Sequence, residues 1–150
     1  MADELAVWLF ADRVGTLALV DGRLSFCYAP DWLSHKDAVA LSASLPLQAE
    51  PFDDRKTRPF FAGLLPEGQM RRLIAQQFQV SNQNDFALLN HIGGECAGAV
   101  TFLEPGQALP VPTRSDDVQW LSDEEVVAIL DELPRRPMLA GKDGLRLSLA

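Results

Sequence analysis

Asp21-Gly22 divides two runs of alternating apolar residues, 14–20 (VGTLALV) and Arg23–Tyr28 (RLSFCY). A two-residue hairpin turn needs positive φ at both central positions, and Asp-Gly meets that demand better than almost any other pair. The two runs are therefore predicted to pair antiparallel. A third run, 5–10 (LAVWLF), precedes them across Ala11-Asp12-Arg13, so residues 5–28 read as a three-stranded meander.

The remainder alternates between helical and extended signals. Residues 30–38 read as a loop or one helical turn, with Trp32 and Leu33 capping an end of the sheet. Residues 41–47 (LSASLPL) read as extended, because Pro46 pushes Leu45 out of the helical region. Residues 50–59, charged and bounded by prolines, read as an exposed loop. Phe60, Phe61, Leu64 and Leu65 then form a compact helical face that Pro66 ends. A helix over 67–78 places Met70, Leu73, Ile74 and Phe78 on one side. A third helix is expected from Ser81, with Phe86, Leu89 and Ile92 inward and Gly93-Gly94 as its stop. Residues 97–103 (AGAVTFL) suit a strand. Ser122-Asp123-Glu124-Glu125 is a capping box, since the serine oxygen takes the Glu125 amide while that glutamate reaches back. Val126, Ile129, Leu130 and Leu133 face one way on the helix it opens. Residues 145–150 (LRLSLA) alternate as a strand. This order gives an α+β fold with a mainly antiparallel sheet. The predicted division is 1–104 as one subdomain, 105–118 as a linker rich in proline, and 119–150 as the start of a second unit.

The charge balance narrows the partners. Acidic residues number 21 and basic ones 13, a net charge of −8. A surface of that sign repels phosphate backbones, so direct nucleic-acid binding is not expected. The basic pairs Arg71-Arg72 and Arg135-Arg136 read as solvated helix faces or turns. No run reaches the roughly 18 apolar residues of a membrane span. Cys27 and Cys96 lack CxxC spacing and read as buried, reduced thiols of a cytoplasmic protein.

Catalytic chemistry is missing from these residues. His35 and His91 are isolated from one another and from any activated nucleophile, and His91 falls where a histidine suits a helix C-terminus. Asp53-Asp54 has neither EF-hand spacing nor a nearby histidine and reads as a solvated loop pair, so no metal site is expected. Gly141-Lys142-Asp143-Gly144 fails as a phosphate loop: Arg136 stands where the first glycine belongs, and Asp143 follows the lysine. The glycines around Glu95-Cys96 read as a helix stop followed by a tight strand entry.

Five blocks in order carry a family resemblance. They are LAVWLFADRVGTLALVDGRLSFCYAPDWL, LSASLPLQ, FFAGLLPEG, FALLNHIGGECAGAVTFLEP and the final GLRLSLA. Together the chain resembles the N-terminal portion of HipA-type serine/threonine kinase toxins. The resemblance implies a toxin of a bacterial toxin–antitoxin module, neutralised by a HipB-like helix-turn-helix antitoxin. Its kinase phosphorylates a translation component of the aminoacyl-tRNA synthetase class, with growth arrest or persistence as the result. It also implies an α+β N-terminal region packed on a helical kinase region. ATP and Mg belong to that whole protein. The family's catalytic and metal-binding groups lie downstream of the matched blocks, so this stretch alone is expected to be inactive. Ser148, in LRLSLA, matches the serine before the glycine-rich loop that HipA-type kinases autophosphorylate. The other reading implied is a stand-alone subunit resembling HipS, an antitoxin that docks on a separate kinase chain. Under the first reading, an exposed apolar patch is expected near 97–103 and 145–150.

Overall fold

The computed structural model describes residues 3–93, 99–107 and 120–135. Three strands open the chain: β1 (Glu4–Leu9), β2 (Asp12–Val20) and β3 (Arg23–Tyr28). A fourth, β4 (Val100–Leu103), returns to the far side of β1 and gives an antiparallel sheet in the order β3-β2-β1-β4. The hairpin between β2 and β3 forms as predicted, with φ of 49° at Asp21 and 75° at Gly22. Its register runs from Val20 opposite Arg23 to Gly15 opposite Tyr28. A bulge between Val7 and Trp8 interrupts the β1–β2 register.

Among the described residues five helices follow the meander: α1 (Pro30–Leu33), α2 (Asp54–Ala62), α3 (Gly68–Gln77), α4 (Asp85–Ile92) and α5 (Asp123–Glu132). The first four and the sheet share one core. Alternation along the strands turns Leu5, Val7, Leu17, Leu24, Phe26, Tyr28, Val100 and Phe102 to the same buried face. Helix α2 contributes Phe61, and α4 contributes Phe86, Leu88, Leu89 and Ile92. Phe61 stands between the two outer parts of the sheet, 5.3 Å from the ring of Phe26 and 5.6 Å from that of Phe102. Each such side chain stabilises the fold by about 1.5–3 kcal/mol through burial alone.

Both outer strands are partly covered. Phe52 exchanges backbone hydrogen bonds with Phe26 of β3. On the other side, the Phe102 amide of β4 donates to the Gly93 carbonyl at 2.9 Å. That approach is close: a Cβ on Gly93 would stand 2.4 Å from the Phe102 Cβ.

Several expectations are corrected. The stretch read as a loop over 50–59 contains the start of α2. Asp53 caps it by accepting from the Lys56 amide, and Pro59 sits inside it. Residues 41–47 are not a strand but a tight turn with a single bridge, Ser42 to Leu45. Ser81 accepts from the Gln83 amide, whereas Asn84 provides the cap of α4 through Ala87. Cys27 is half-buried rather than buried. The capping box of α5 forms as predicted, with both of its reciprocal bonds. The strand expected at 145–150 lies outside the described residues, as does Cys96.

Candidate functional site

The densest polar arrangement gathers where the β2–β3 turn meets three helices. Arg58, one turn before the end of α2, sends its guanidinium in three directions. It binds both oxygens of Asp54 on its own helix, the Oδ2 of Asp85 on α4 at 2.8 Å, and the Gly22 carbonyl of the hairpin at 3.1 Å. Arg71 of α3 reaches the other oxygen of Asp85 and the Asn82 carbonyl. Asp54 in turn accepts from the Leu24 amide of β3 at 2.6 Å. A planar guanidinium suits this work, because its five donors lie in a fixed fork that matches two carboxylates at once. Hydrogen bonding from Arg58 holds the Asp54 carboxyl below its ordinary value, and Asp54 holds Arg58 further above its own. The Asp53-Asp54 pair is therefore a helix cap and an ion-pair partner, not a solvated loop pair. Arg71, too, departs from the solvated face expected for it, while its neighbour Arg72 is exposed. Spacing along the chain gives no warning of this: the partners are 27 and 14 residues apart.

A second arrangement fixes the 41–45 turn. The Tyr28 hydroxyl donates to the Leu45 carbonyl at 2.5 Å and accepts from the Leu41 amide at 2.9 Å. Burial raises its ionisation above the ordinary tyrosine value, and the Leu41 bond opposes part of that rise. Both contacts hold the chain together; neither offers a nucleophile or a vacant donor to a substrate.

The remaining candidates are equally structural. His35 stacks on Trp32, and His91 stacks on Phe78 with ring centroids 4.6 Å apart. Among the described residues no group of three or more His, Cys, Asp or Glu is placed to hold a metal. No described helix is long and apolar enough to cross a membrane. Ser148, Arg136 and the Gly141–Gly144 stretch lie outside the described residues. The exposed apolar side chains include Phe10, whose amide donates to the Ala99 carbonyl beside β4, and Val127 and Leu130 of α5.

What the geometry describes is a scaffold whose helices are locked to one hairpin by ion pairs. The family model described as "HipA N-terminal domain" matches residues 5–103, from β1 to the end of β4. The chain belongs to the HipA N-terminal domain family. Its relatives include the Sinorhizobium fredii protein named "Putative kinase Y4mE", 50% identical over 133 residues, which are 86% of this chain and 31% of that protein. A solved HipA-type structure, titled as the Shewanella oneidensis toxin–antitoxin system of HipA, HipB and operator DNA, superposes with a TM-score of 0.69 at 27% identity. That match covers 97% of this chain and 33% of the other. An uncharacterised Haemophilus influenzae protein is 30% identical over 101 residues, 67% of this chain but 92% of its own length. The chain thus spans about a third of the HipA-length proteins it matches and most of one short relative.

Proposed function

We propose that this chain is the N-terminal region of a HipA-like serine/threonine protein kinase toxin of a type II toxin–antitoxin module. The single observation behind the reading is the match over 97% of the chain to one third of a HipA chain solved with HipB and operator DNA. The whole protein would phosphorylate a translation component of the aminoacyl-tRNA synthetase class and arrest growth in the cytoplasm. Its partners would be its own kinase region, a HipB-like antitoxin and the substrate protein. Residues 1–104 would form the accessory subdomain and 119–150 the entry to the kinase core, with Ser148 as the autophosphorylated position.

ATP and Mg would belong to that whole protein. The described residues do not fit them: they lack a metal-ligating cluster, and the charged groups nearest to one another are consumed in the Arg58 network. Phosphoryl transfer needs metal, phosphate and hydroxyl positioned together, so no step of it is assigned here. The role of these residues is to present a rigid sheet and helix layer.

The test has two parts. The reading frame across codon 150 is expected to continue into a glycine-rich loop and a helical region. The product of that frame is expected to transfer phosphate and halt growth when induced, whereas residues 1–150 alone transfer none. A frame product without either effect would sink the kinase reading.

A second reading is favoured by the Haemophilus relative, most of whose length this chain covers. A chain of that size in the same family supports a stand-alone binding subunit resembling HipS that docks on a separate kinase chain. A stop codon directly after Ala150 would favour it.

A further inference from the structure

The tip of the β2–β3 hairpin is an aspartate followed by a glycine, with Val20 and Arg23 paired behind them. Positive φ at both, 49° at Asp21 and 75° at Gly22, makes the turn type I′. Both residues are exposed, and a Cβ built on Gly22 would meet nothing within 4 Å. Among the described residues no hydrogen bond or ion pair engages the Asp21 carboxylate or the Gly22 amide. The tethered part of the tip is the Gly22 carbonyl, which accepts from Arg58 at 3.1 Å.

This pair can react with itself. The Gly22 amide nitrogen can attack the Asp21 side-chain carbonyl carbon and close a five-membered succinimide, and glycine offers no side chain to obstruct it. In that ring the Gly22 nitrogen eclipses the Asp21 Cβ about the Cα–C bond. A type I′ turn keeps the two well apart, at ψ of about +30° for its first central residue. Type II′, the other turn that suits a two-residue hairpin, combines φ of about +60° with ψ of about −120° there, which is the eclipsed arrangement. Asp21 already has the φ that both turns share. The change therefore needs only a flip of the peptide between Asp21 and Gly22, which takes Gly22 to negative φ. Glycine adopts either sign at little cost, and open space surrounds it here. The Gly22 carbonyl lies outside the flipping peptide, so its bond to Arg58 does not resist the motion.

We infer that Asp21-Gly22 is a modification site that cyclises within the folded protein and passes through the succinimide to isoaspartate. The Gly22 nitrogen gives up its proton and bonds to Cγ of Asp21. A Cγ–O bond breaks, and the oxygen leaves as water. A second water then reopens the ring. Addition at Cγ restores aspartate. Addition at the former main-chain carbonyl carbon gives isoaspartate, whose main chain runs through Cβ and Cγ and whose old carbonyl is now a free carboxylate. The sequence of steps consumes no co-reactant but water. It holds whether or not the whole protein is a kinase.

The experiment ages the product of the native gene at neutral pH for several weeks. Trypsin then releases residues 14–23, and chromatography with mass spectrometry resolves the form lighter by one water and the isoaspartyl isomer. The reference is the free synthetic peptide 14–23 in the same buffer. Conversion in the folded protein is expected within about fivefold of the peptide, because the flip adds little to the barrier. Unfolded molecules could not supply that rate, since they make up about one in a thousand or fewer. Asp21→Asn keeps a turn pair equally suited to type I′ and closes the same ring with ammonia leaving. Its folded rate is expected to stay within the same factor of its own peptide. Conversion slower than that in either folded chain, or a hairpin peptide that survives unchanged while the free one converts, would overturn the inference.

Discussion

Arg58 of α2 and Asp85 of α4 meet at 2.8 Å, and the carboxylate they share with Arg71 is only 10% exposed. One buried charge therefore joins three helices, and Arg58 extends the connection to the hairpin through the Gly22 carbonyl. Neutralising the carboxylate takes from Arg71 the carboxylate it binds, while Arg58 keeps Asp54 as its counter-charge. Asp85→Asn is expected to lower unfolding free energy by about 2–3 kcal/mol, at or below the roughly 3–5 kcal/mol for breaking a fully buried pair, because Arg58 retains Asp54. Urea unfolding followed by circular dichroism reads it directly. A change below about 0.5 kcal/mol, the range of ordinary surface substitutions, would reduce the network to decoration.

Asp54 gives the acid limb of stability. Its carboxyl titrates below the ordinary 3.8 in the folded chain, because Arg58 and the Leu24 amide favour the charged form. The contribution is present above 3.8 and is lost as pH falls from there through the folded value. Asp54→Asn is expected to flatten the fall in melting temperature below pH 4. An unchanged acid limb in the variant would contradict the assignment.

Tyr28 acts at the opposite end. Burial raises its ionisation above 10.0, so its stabilisation is complete below pH 10 and declines as pH rises through the higher folded value. Tyr28→Phe removes that alkaline loss. It also deletes both hydrogen bonds to the 41–45 turn, at about 1–2 kcal/mol for the pair near neutral pH. Hydrogen exchange at the Leu41 and Leu45 amides should speed up more than exchange in β2.

Phe10 is an aromatic residue at φ 53° and 74% exposed. Left-handed backbone is costly for such a residue, and Asn or Gly adopts it more readily. Phe10→Gly is expected to stabilise the chain by about 0.5–1 kcal/mol, the scale of relieving an unfavourable backbone conformation. A lower melting temperature would show that the ring has a packing role here.

Gly93 tests the junction of α4 and β4. The added methyl of Gly93→Ala would collide with Phe102, so a loss of about 1–3 kcal/mol is expected, as for overpacking elsewhere. Thermal melts of the two chains decide it; equal stability would mean that the strand shifts freely.

The parts legible in the sequence were those whose cause is local. Asp21-Gly22 set the hairpin, strand alternation set the buried face, and Ser122 with Glu125 set the start of α5. The start of α2 was hidden because Pro59 reads as a boundary, yet the helix carries it, with Asp53 securing the first turn. The 41–45 turn is not legible in its own segment because a hydroxyl at residue 28 shapes it from outside. The Arg58 network was invisible for the same reason: its partners meet only after the chain folds. The family resemblance carries the functional reading, because the polar groups that the fold brings together at Arg58 and Tyr28 bind one another.

The Phe52 bridge to β3 and the Gly93 bond to β4 occupy backbone groups in the middle of one outer strand and near the end of the other. A sheet with bare margins recruits strands from neighbouring molecules and precipitates. This one has each margin partly occupied by its own chain. A strand offered by a neighbouring molecule would have to displace Phe52 from β3 or the Gly93 junction from β4 before it could pair at those positions.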